Sequence, residues 1–249
     1  MLRYDEAFPA ELESAIDRGA PAVVAWGALE WHGCHLPLGL DGIVADWFAR
    51  HLAERLNGVL LPSFWLPMTT LPHRASLQVS TETFRAILDD LLGSLAGAGF
   101  RQVCLVTGHY AQGHLWELFE AAERASIPVL TGTPLQPLEK DELLDHAGRY
   151  EASQLAAIRP DLVRLGGLPT DLIVREHAVL GRHPSESNVA EGERLLHEGL
   201  DAWAGWSSSA TKESLAVTYA GAKEGLGEYR EKFYRESWEQ AIRDWWDSK

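Results

Sequence analysis

The chain has 249 residues, 36 of them Asp or Glu against 22 Lys or Arg, for a formal net charge of −14. That length holds one sizeable α/β domain or two small ones, and 46% hydrophobic with 23% charged residues places it among packed globular chains rather than disordered ones. The acidic balance, with no basic run, argues against non-specific binding of nucleic acid or anionic membrane, since both need Lys and Arg to neutralise phosphates.

In chain order, Ala22–Trp26 is a continuous apolar run ended by Gly27, which fits a buried strand. Ile43, Val44, Trp47, Phe48, Leu52 and Leu56 then recur at helical spacing, with Asp41 placed as a cap and Asn57-Gly58 as the stop. Val59–Leu61 reads as a second strand closed by Pro62, and Phe84, Ile87, Leu88, Leu91, Leu92 and Leu95 trace one face of a helix ending at Gly97–Gly99. Val103–Val106 is the clearest interior strand. It runs into Thr107-Gly108-His109, after which Leu115, Leu118 and Phe119 predict a helix and Pro128–Leu130 another short strand. Alternation of this kind predicts right-handed crossovers and an α/β fold of three layers, a largely parallel sheet with helices on both faces. Gly205–Ala210 is the one linker-like interruption, and Leu226–Trp246 follows it as a single polar, aromatic-rich helix, so the division falls at 1–205 and 206–249.

Two cysteines, Cys34 and Cys104, cannot make a disulfide framework, and the first residues lack the apolar core of a signal peptide. A reducing cytoplasm is the expected compartment. No window supplies the ~20 apolar residues of a membrane-spanning helix.

The chemistry concentrates in Gly27–Asp41, which holds Glu30, His32, His35 and Asp41 within fifteen residues. In extended chain Glu30 and His32 project to the same side and so can serve neighbouring metal positions. Asp41 at a helix head keeps its anionic form and has two oxygens with which to bridge two ions. Oxygen and imidazole donors suit Zn²⁺, Mn²⁺ or Fe²⁺, and the absence of clustered thiolates argues against a structural zinc knot. Taken singly, each of these residues is more often solvated or a cap. Their concurrence decides the matter, because His109 also follows a strand, and ligand sites of parallel sheets form outside the strands' carboxyl ends. His114, five helical steps and about 140° of rotation from His109, is set aside as a ligand. Asp145, His146 and Glu151 offer an acid–imidazole pair for moving protons and a further carboxylate ligand.

Cys34 beside His35 invites a thiol nucleophile, but adjacent residues of extended chain point apart, and a small buried hydrophobe is the preferred role. Trp26, Trp31, Trp65 and Trp116 are assigned to core ahead of a pocket mouth.

Glu30-Trp31-His32-Gly33-Cys34-His35-Leu36-Pro37-Leu38-Gly39-Leu40-Asp41 resembles the Glu-Gln-His-Gly-Pro-His-Leu-Pro-Leu-Gly-Thr-Asp run of the creatininase (creatinine amidohydrolase) family, spacing preserved. Thr107-Gly108-His109 is similar to that family's Asn-Gly-His, and His146–Ser153 to its His-Ala-Gly-x-x-Glu-Thr-Ser element. Leu180–Pro184 with Ala190–Glu193 resembles a worn Gly-Asp-Pro and Ala-x-x-Gly-Glu pair. The four elements stand in order over residues 20 to 205.

The resemblance implies a creatininase-like α/β metallohydrolase with a two-metal centre, cleaving a cyclic amide, formamide or related C–N bond of a small molecule. It implies Glu30, His32, Asp41 and His109 as ligands, Asp41 bridging, with Glu151 at the site, His146 handling protons and Asp145 or a backbone carbonyl orienting it. The family's acidic ligand two positions after His109 is replaced by Ala111, so Glu151 is assigned to close the second metal position. Cys34, Leu40 and His183 are further departures that bear on the substrate. The expected cofactors are two divalent ions, Zn²⁺ first and Mn²⁺ or Fe²⁺ next, and a homo-oligomer, a hexamer by resemblance, is implied. The rivals are a non-catalytic metal-binding or assembly protein, favoured by Ala111 and His183, and a peptide-cleaving relative.

Overall fold

A computed structural model describes residues 1–138 and 143–249. Five short strands, β1 (Leu2–Arg3), β2 (Ala22–Trp26), β3 (Val59–Leu60), β4 (Val103–Thr107) and β5 (Val129–Gly132), form one sheet. Its order is β1-β3-β2-β4-β5, and every pairing is parallel. The central pair is longest, with Ala22 opposite Val103 and Trp26 opposite Thr107. Both strands are buried throughout, which is why each reads as an unbroken apolar run instead of an alternation.

Nine helices punctuate the described residues: α1 (Pro9–Asp17), α2 (Leu40–Leu56), α3 (Thr81–Gly97), α4 (Gln112–Arg124), α5 (Arg149–Ile158), α6 (Val174–His177), α7 (Val189–Ser209), α8 (Lys212–Phe233) and α9 (Trp238–Asp247). The chain leaves β2 for β3 on one side but runs from β3 to β4 and from β4 to β5 in the opposite direction. Right-handed crossovers therefore place α2 on one face and α3 and α4 on the other. The packing agrees, since α5 and α7 join α2, while α8 packs on α4 and α9 on α8. The strand order reverses between β2 and β4, and the crevice outside their carboxyl ends is where such sheets bind ligands.

Three expectations change. Asp41 is not the cap of α2, because Gly39 takes that position and Asp41 lies inside the first turn. The stop is as expected: Asn57 takes a left-handed conformation, φ 47°, one that Asn tolerates better than most residues. The run Gly205–Ser209 is no linker but the last turn of α7. Its serines close back on the helix, Ser208 and Ser209 Oγ each donating to the Gly205 carbonyl, while Ser207 exchanges hydrogen bonds with Gln102. The tail is also two helices rather than one. Arg235 turns its guanidinium onto the last carbonyls of α8, and Ser237 caps the new helix by accepting from Gln240 N–H. Both helices are anchored: Tyr219 Oη donates to the Val129 carbonyl and accepts from Thr131 N–H of β5, and Trp238 Nε1 donates to Glu117 of α4.

Candidate metal centre

The loop after β2 carries Glu30 and His32, the first turn of α2 carries Asp41, the loop after β4 carries His109, and α5 with its preceding turn carries His146 and Glu151. All six converge at the switch point. Gly108 makes that approach possible: a Cβ there would drive into the Asp41 backbone, so a side chain at 108 would displace the carboxylate shared by the rest.

Glu30, Asp41 and Glu151 are no more than 2% exposed. Burying three carboxylates is costly unless cations pair with them. Among the described residues their ion-pair partners are imidazoles alone. His32 Nε2 lies 3.1 Å from Asp41 Oδ1 and 3.7 Å from Glu151 Oε2, and His109 Nδ1 lies 2.9 Å from Glu30 Oε2 and 3.2 Å from Asp41 Oδ2. Asp41 thus turns one oxygen toward each imidazole. Two triads result, Glu30–Asp41–His109 and His32–Asp41–Glu151, each with its ligand atoms within 4.8 Å of one another. A third, Glu30–His32–His146, overlaps both.

The backbone fixes which nitrogen of each ring faces the cluster. His32 Nδ1 bonds the Glu30 carbonyl at 3.0 Å, His109 Nε2 the Met68 carbonyl at 3.0 Å, and His146 Nδ1 the Ala178 carbonyl at 2.7 Å. A carbonyl only accepts, so each of these nitrogens carries the proton and the opposite one offers a lone pair inward. The carboxylates are aimed likewise: Glu30 Oε1 accepts from Leu71 N–H at 2.5 Å and Glu151 Oε2 from Ala147 N–H at 2.6 Å. Ala147 holds a left-handed φ of 51°, strained for alanine, and its carbonyl bonds His35 Nε2 at 2.8 Å.

What stays unpaired defines the site. Glu30 Oε2, both Asp41 oxygens, His32 Nε2 and His146 Nε2 are buried without a hydrogen-bond partner. Buried polar atoms are rarely left this way, and those of Glu30, Asp41 and His32, divided between the two triads that share Asp41, fit bound divalent cations. Nitrogen and oxygen donors without thiolate suit Zn²⁺ or Mn²⁺. The electrostatics agree. Burial disfavours charge on His32, yet Asp41, Glu151 and Glu30 outweigh it and raise its pKa to about 10. Burial raises Glu151 to about 8 against the pull of His32 and His146. The cluster therefore draws in positive charge.

Asp145 does not orient His146. Its oxygens accept from Tyr150 N–H at 2.8 Å and Glu151 N–H at 3.1 Å, seating the first turn of α5, while the Ala178 carbonyl holds the ring. A rotation of about 140° would separate His114 from His109 only if one helix ran through both. His109 precedes α4, and the two rings meet at 4.9 Å, with Thr107 Oγ1 3.1 Å from His114 Nε2. His114 is a buried support beneath a ligand, outside the triads. Cys34 is exposed rather than buried, and His183 bonds Ser185 in a short turn and belongs to none of the triads. Trp26 is core and Trp31, Trp65 and Trp116 are partly buried. The cleft above the cluster, about 270 Å³, takes its aromatic lining from Tyr110, Tyr229 and Trp245, which motif reading passes over. The spacing of Leu226, Tyr229 and Phe233 along one helical stripe is the signal that marks one of these walls.

The fold and cluster define a parallel α/β protein with a buried cluster of His, Glu and Asp at its switch point, a candidate metal site. A family model described as creatinine amidohydrolase matches residues 6–225, and the chain belongs to the creatininase family. Creatinine amidohydrolase of Pseudomonas putida is 26% identical over 169 residues, 56% of this chain and 64% of that protein, so the chain matches slightly under two thirds of that relative's length. The mycofactocin precursor peptide peptidase of Mycobacterium tuberculosis is 29% identical over 227 residues, 77% of this chain and 88% of that one. A crystal structure of creatinine amidohydrolase superposes with a TM-score of 0.70 at 20% identity, covering 84% of this chain and 99% of that one. A manganese creatininase gives 0.68 at 19% identity over 82% and 96%, and a Zn–Zn mutant form 0.69 at 18% over 82% and 95%. These likenesses show the five-stranded α/β fold. Among the described residues no helix is long and apolar enough to cross a membrane.

Proposed function

We propose that the protein is a metal-dependent amidohydrolase that cleaves a non-peptide C–N bond, a cyclic amide or formamide, of a small molecule. The observation that carries this reading is the pair of buried triads sharing Asp41, with their inward atoms unpaired. Glu30, Asp41 and His109 would hold one divalent cation and His32, Asp41 and Glu151 the other. Bound there, the cations would supply the Lewis acidity that brings the pKa of water from 15.7 toward ~7 and polarises an amide carbonyl. His146 Nε2, 3.5 Å from Glu30 Oε2 and on the cleft lining, is placed to accept with its lone pair the proton that the attacking water sheds and to pass it to the departing nitrogen, its ring held by Ala178. Leu71, Leu115, Leu144 and Leu180 keep the cleft largely apolar.

The test is metal analysis of protein purified without an affinity tag, followed by assay of the Zn²⁺- and Mn²⁺-loaded forms on formamides, cyclic ureides and lactams. Two ions per chain and release of amine or acid are expected. A protein that binds both ions and turns over none of these compounds or peptides is the assembly protein of the rival reading. One observation favours peptide cleavage as a second reading: the match to the peptidase spans more of both chains than the match to creatinine amidohydrolase. Mass spectrometry of peptide digests separates the two. Assembly into a homo-oligomer belongs to the same proposal, and light scattering of the purified chain checks it.

A further inference from the structure

The cleft over the metal cluster has two unlike halves. Its floor is Glu30, His109 and His146, and one side of its wall is Leu226 and Tyr229 of α8 with Ile242 and Trp245 of α9. These four residues lie beyond residue 225, where the family match ends, so this wall falls outside what the match to the family model covers. Tyr110, Leu115, Leu144 and Leu180 also line the cleft. Among the described residues no Lys or Arg lines the cleft, and its acidic groups are Glu30 and Asp145 at the floor end.

We propose that α8 and α9 form the specificity wall of the site, and that it selects an uncharged amide whose substituent beside the scissile C–N bond is apolar, about one aromatic ring in size. The inference rests on the amidohydrolase reading above and adds the substrate class to it. Among the described residues the lining presents no cationic fork or point charge to pair with a carboxylate on the substituent. A polar urea-like ring, conversely, would set donors and acceptors against Leu226, Ile242 and Leu180, where unmade hydrogen bonds are penalised, the polar atoms of this wall being only the Tyr229 hydroxyl and the Trp245 indole N–H. An apolar group fills the space without that loss. The volume, about 270 Å³, lies just below the ~300–1,000 Å³ of pockets that take drug-sized ligands, which limits the substituent to a single ring or short branched chain.

The position of the wall also explains the burial in the tail. Trp238 is buried and hydrogen-bonded to Glu117, which Arg85 in turn grips with two bonds of 2.6 Å. The helix that presents Ile242 and Trp245 is therefore fixed to α4, whose N-terminus follows His109. A rigid wall is what size selection needs.

The experiment uses the full chain loaded with Mn²⁺ or Zn²⁺ and three probes: N-benzylformamide, N-methylformamide and the anionic N-formylglycine. Formate release gives kcat/KM, and calorimetry with benzamide and acetamide gives binding without turnover. N-Benzylformamide is expected to exceed N-methylformamide by about 10-fold or more, the discrimination an apolar pocket gives for added methylenes, with N-formylglycine the poorest. Tyr229→Ala should shrink the first gap mainly through KM. Leu226→Lys, at a partly exposed position that tolerates a long side chain, should move preference toward N-formylglycine. Equal kcat/KM for all three probes, or variants that keep the wild-type ratios, would overturn the wall. If no formamide is cleaved, tighter binding of benzamide than acetamide, weakened by Tyr229→Ala, upholds the wall while the amidohydrolase reading falls. Equal binding of the two with no cleavage removes both.

Discussion

The floor and the wall of the cleft are built by opposite means. The floor gathers buried charge from four separate segments and leaves its inward atoms unpaired, held in aim by the carbonyls of Glu30, Met68 and Ala178 and the N–H groups of Leu71 and Ala147. The wall is largely apolar side chains on two consecutive helices, the second anchored by the bond from Trp238 to Glu117. A network of buried charge fails when one member is lost, because its neighbours stay buried and uncompensated. An apolar surface loses only the atoms removed. Substitutions in the two triads that share Asp41 should therefore change metal content and chemistry together, and wall substitutions should change stability or selectivity alone.

The largest effect belongs to Asp41→Asn. Asp41 serves both triads, so its loss weakens both metal positions at once, whereas removal of Glu30 or Glu151 touches one. Even outer groups around metal ligands cost ~10–100-fold in affinity, and a shared ligand should cost at least the upper figure. Chelation should lower the wild-type Tm, since a ligand present at 100 times its Kd stabilises by about 2.7 kcal/mol per site, and Asp41→Asn should erase that response. A variant that keeps two ions and the full chelator effect would break the account of the floor.

His146→Ala sharpens the distinction within the floor. His146 lies outside the two triads that share Asp41, so metal content should hold while turnover falls by ~10²–10⁴, the usual contribution of a positioned acid or base. Metal analysis beside single-turnover kinetics reads both. Unchanged turnover removes His146 from proton transfer.

These two regions also differ in how far the sequence exposes them. Glu30, His32, Asp41 and His109 stand next to interior strands whose apolar runs are unmistakable, and strand order alone brings their loops together. The carbonyls that fix the ring nitrogens are backbone atoms, and no residue type announces them. Asp145 looks like a partner of its neighbour His146, but a carboxylate just before a helix is drawn to that helix's free N–H groups, here those of Tyr150 and Glu151. His114 escapes a rotation argument because the helix begins after His109. The tail is legible as aromatic and helical, but the Ser207–Ser209 run imitates a linker, and only Gln102 and the Gly205 carbonyl, both met through folding, show it to be helix.

Behind the wall, Trp238→Ala should act on stability and leave the floor alone. Trp238 is 1% exposed, packs its ring 4.7 Å from Tyr234 and 6.0 Å from Trp116, and donates to a buried carboxylate. Deleting a buried aromatic of this kind costs ~3–5 kcal/mol. Denaturant unfolding should show that loss in the metal-free protein, with two ions still bound after reloading. Loss of metal along with stability would mean that the floor depends on the wall, and the contrast between them would fail.

The smallest effect is expected at the thiols, and it tests which parts of the motif are chemistry. Cys34 sits inside the Glu30–Asp41 run but is exposed, whereas Cys104 in β4 is buried and burial pushes its thiol up to about 12. The thiolate is the reactive form, so a group with so high a pKa stays protonated and shielded at neutral pH. Native protein should take up one equivalent of a thiol alkylator at Cys34, and a second only on unfolding. Because none of the triads uses sulfur, alkylated protein and Cys34→Ser should both retain two ions and wild-type kcat/KM on small formamides. A loss of turnover on Cys34→Ser with metal retained would place the thiol in the reaction and reopen the nucleophile reading that its exposed position beside His35 first suggests.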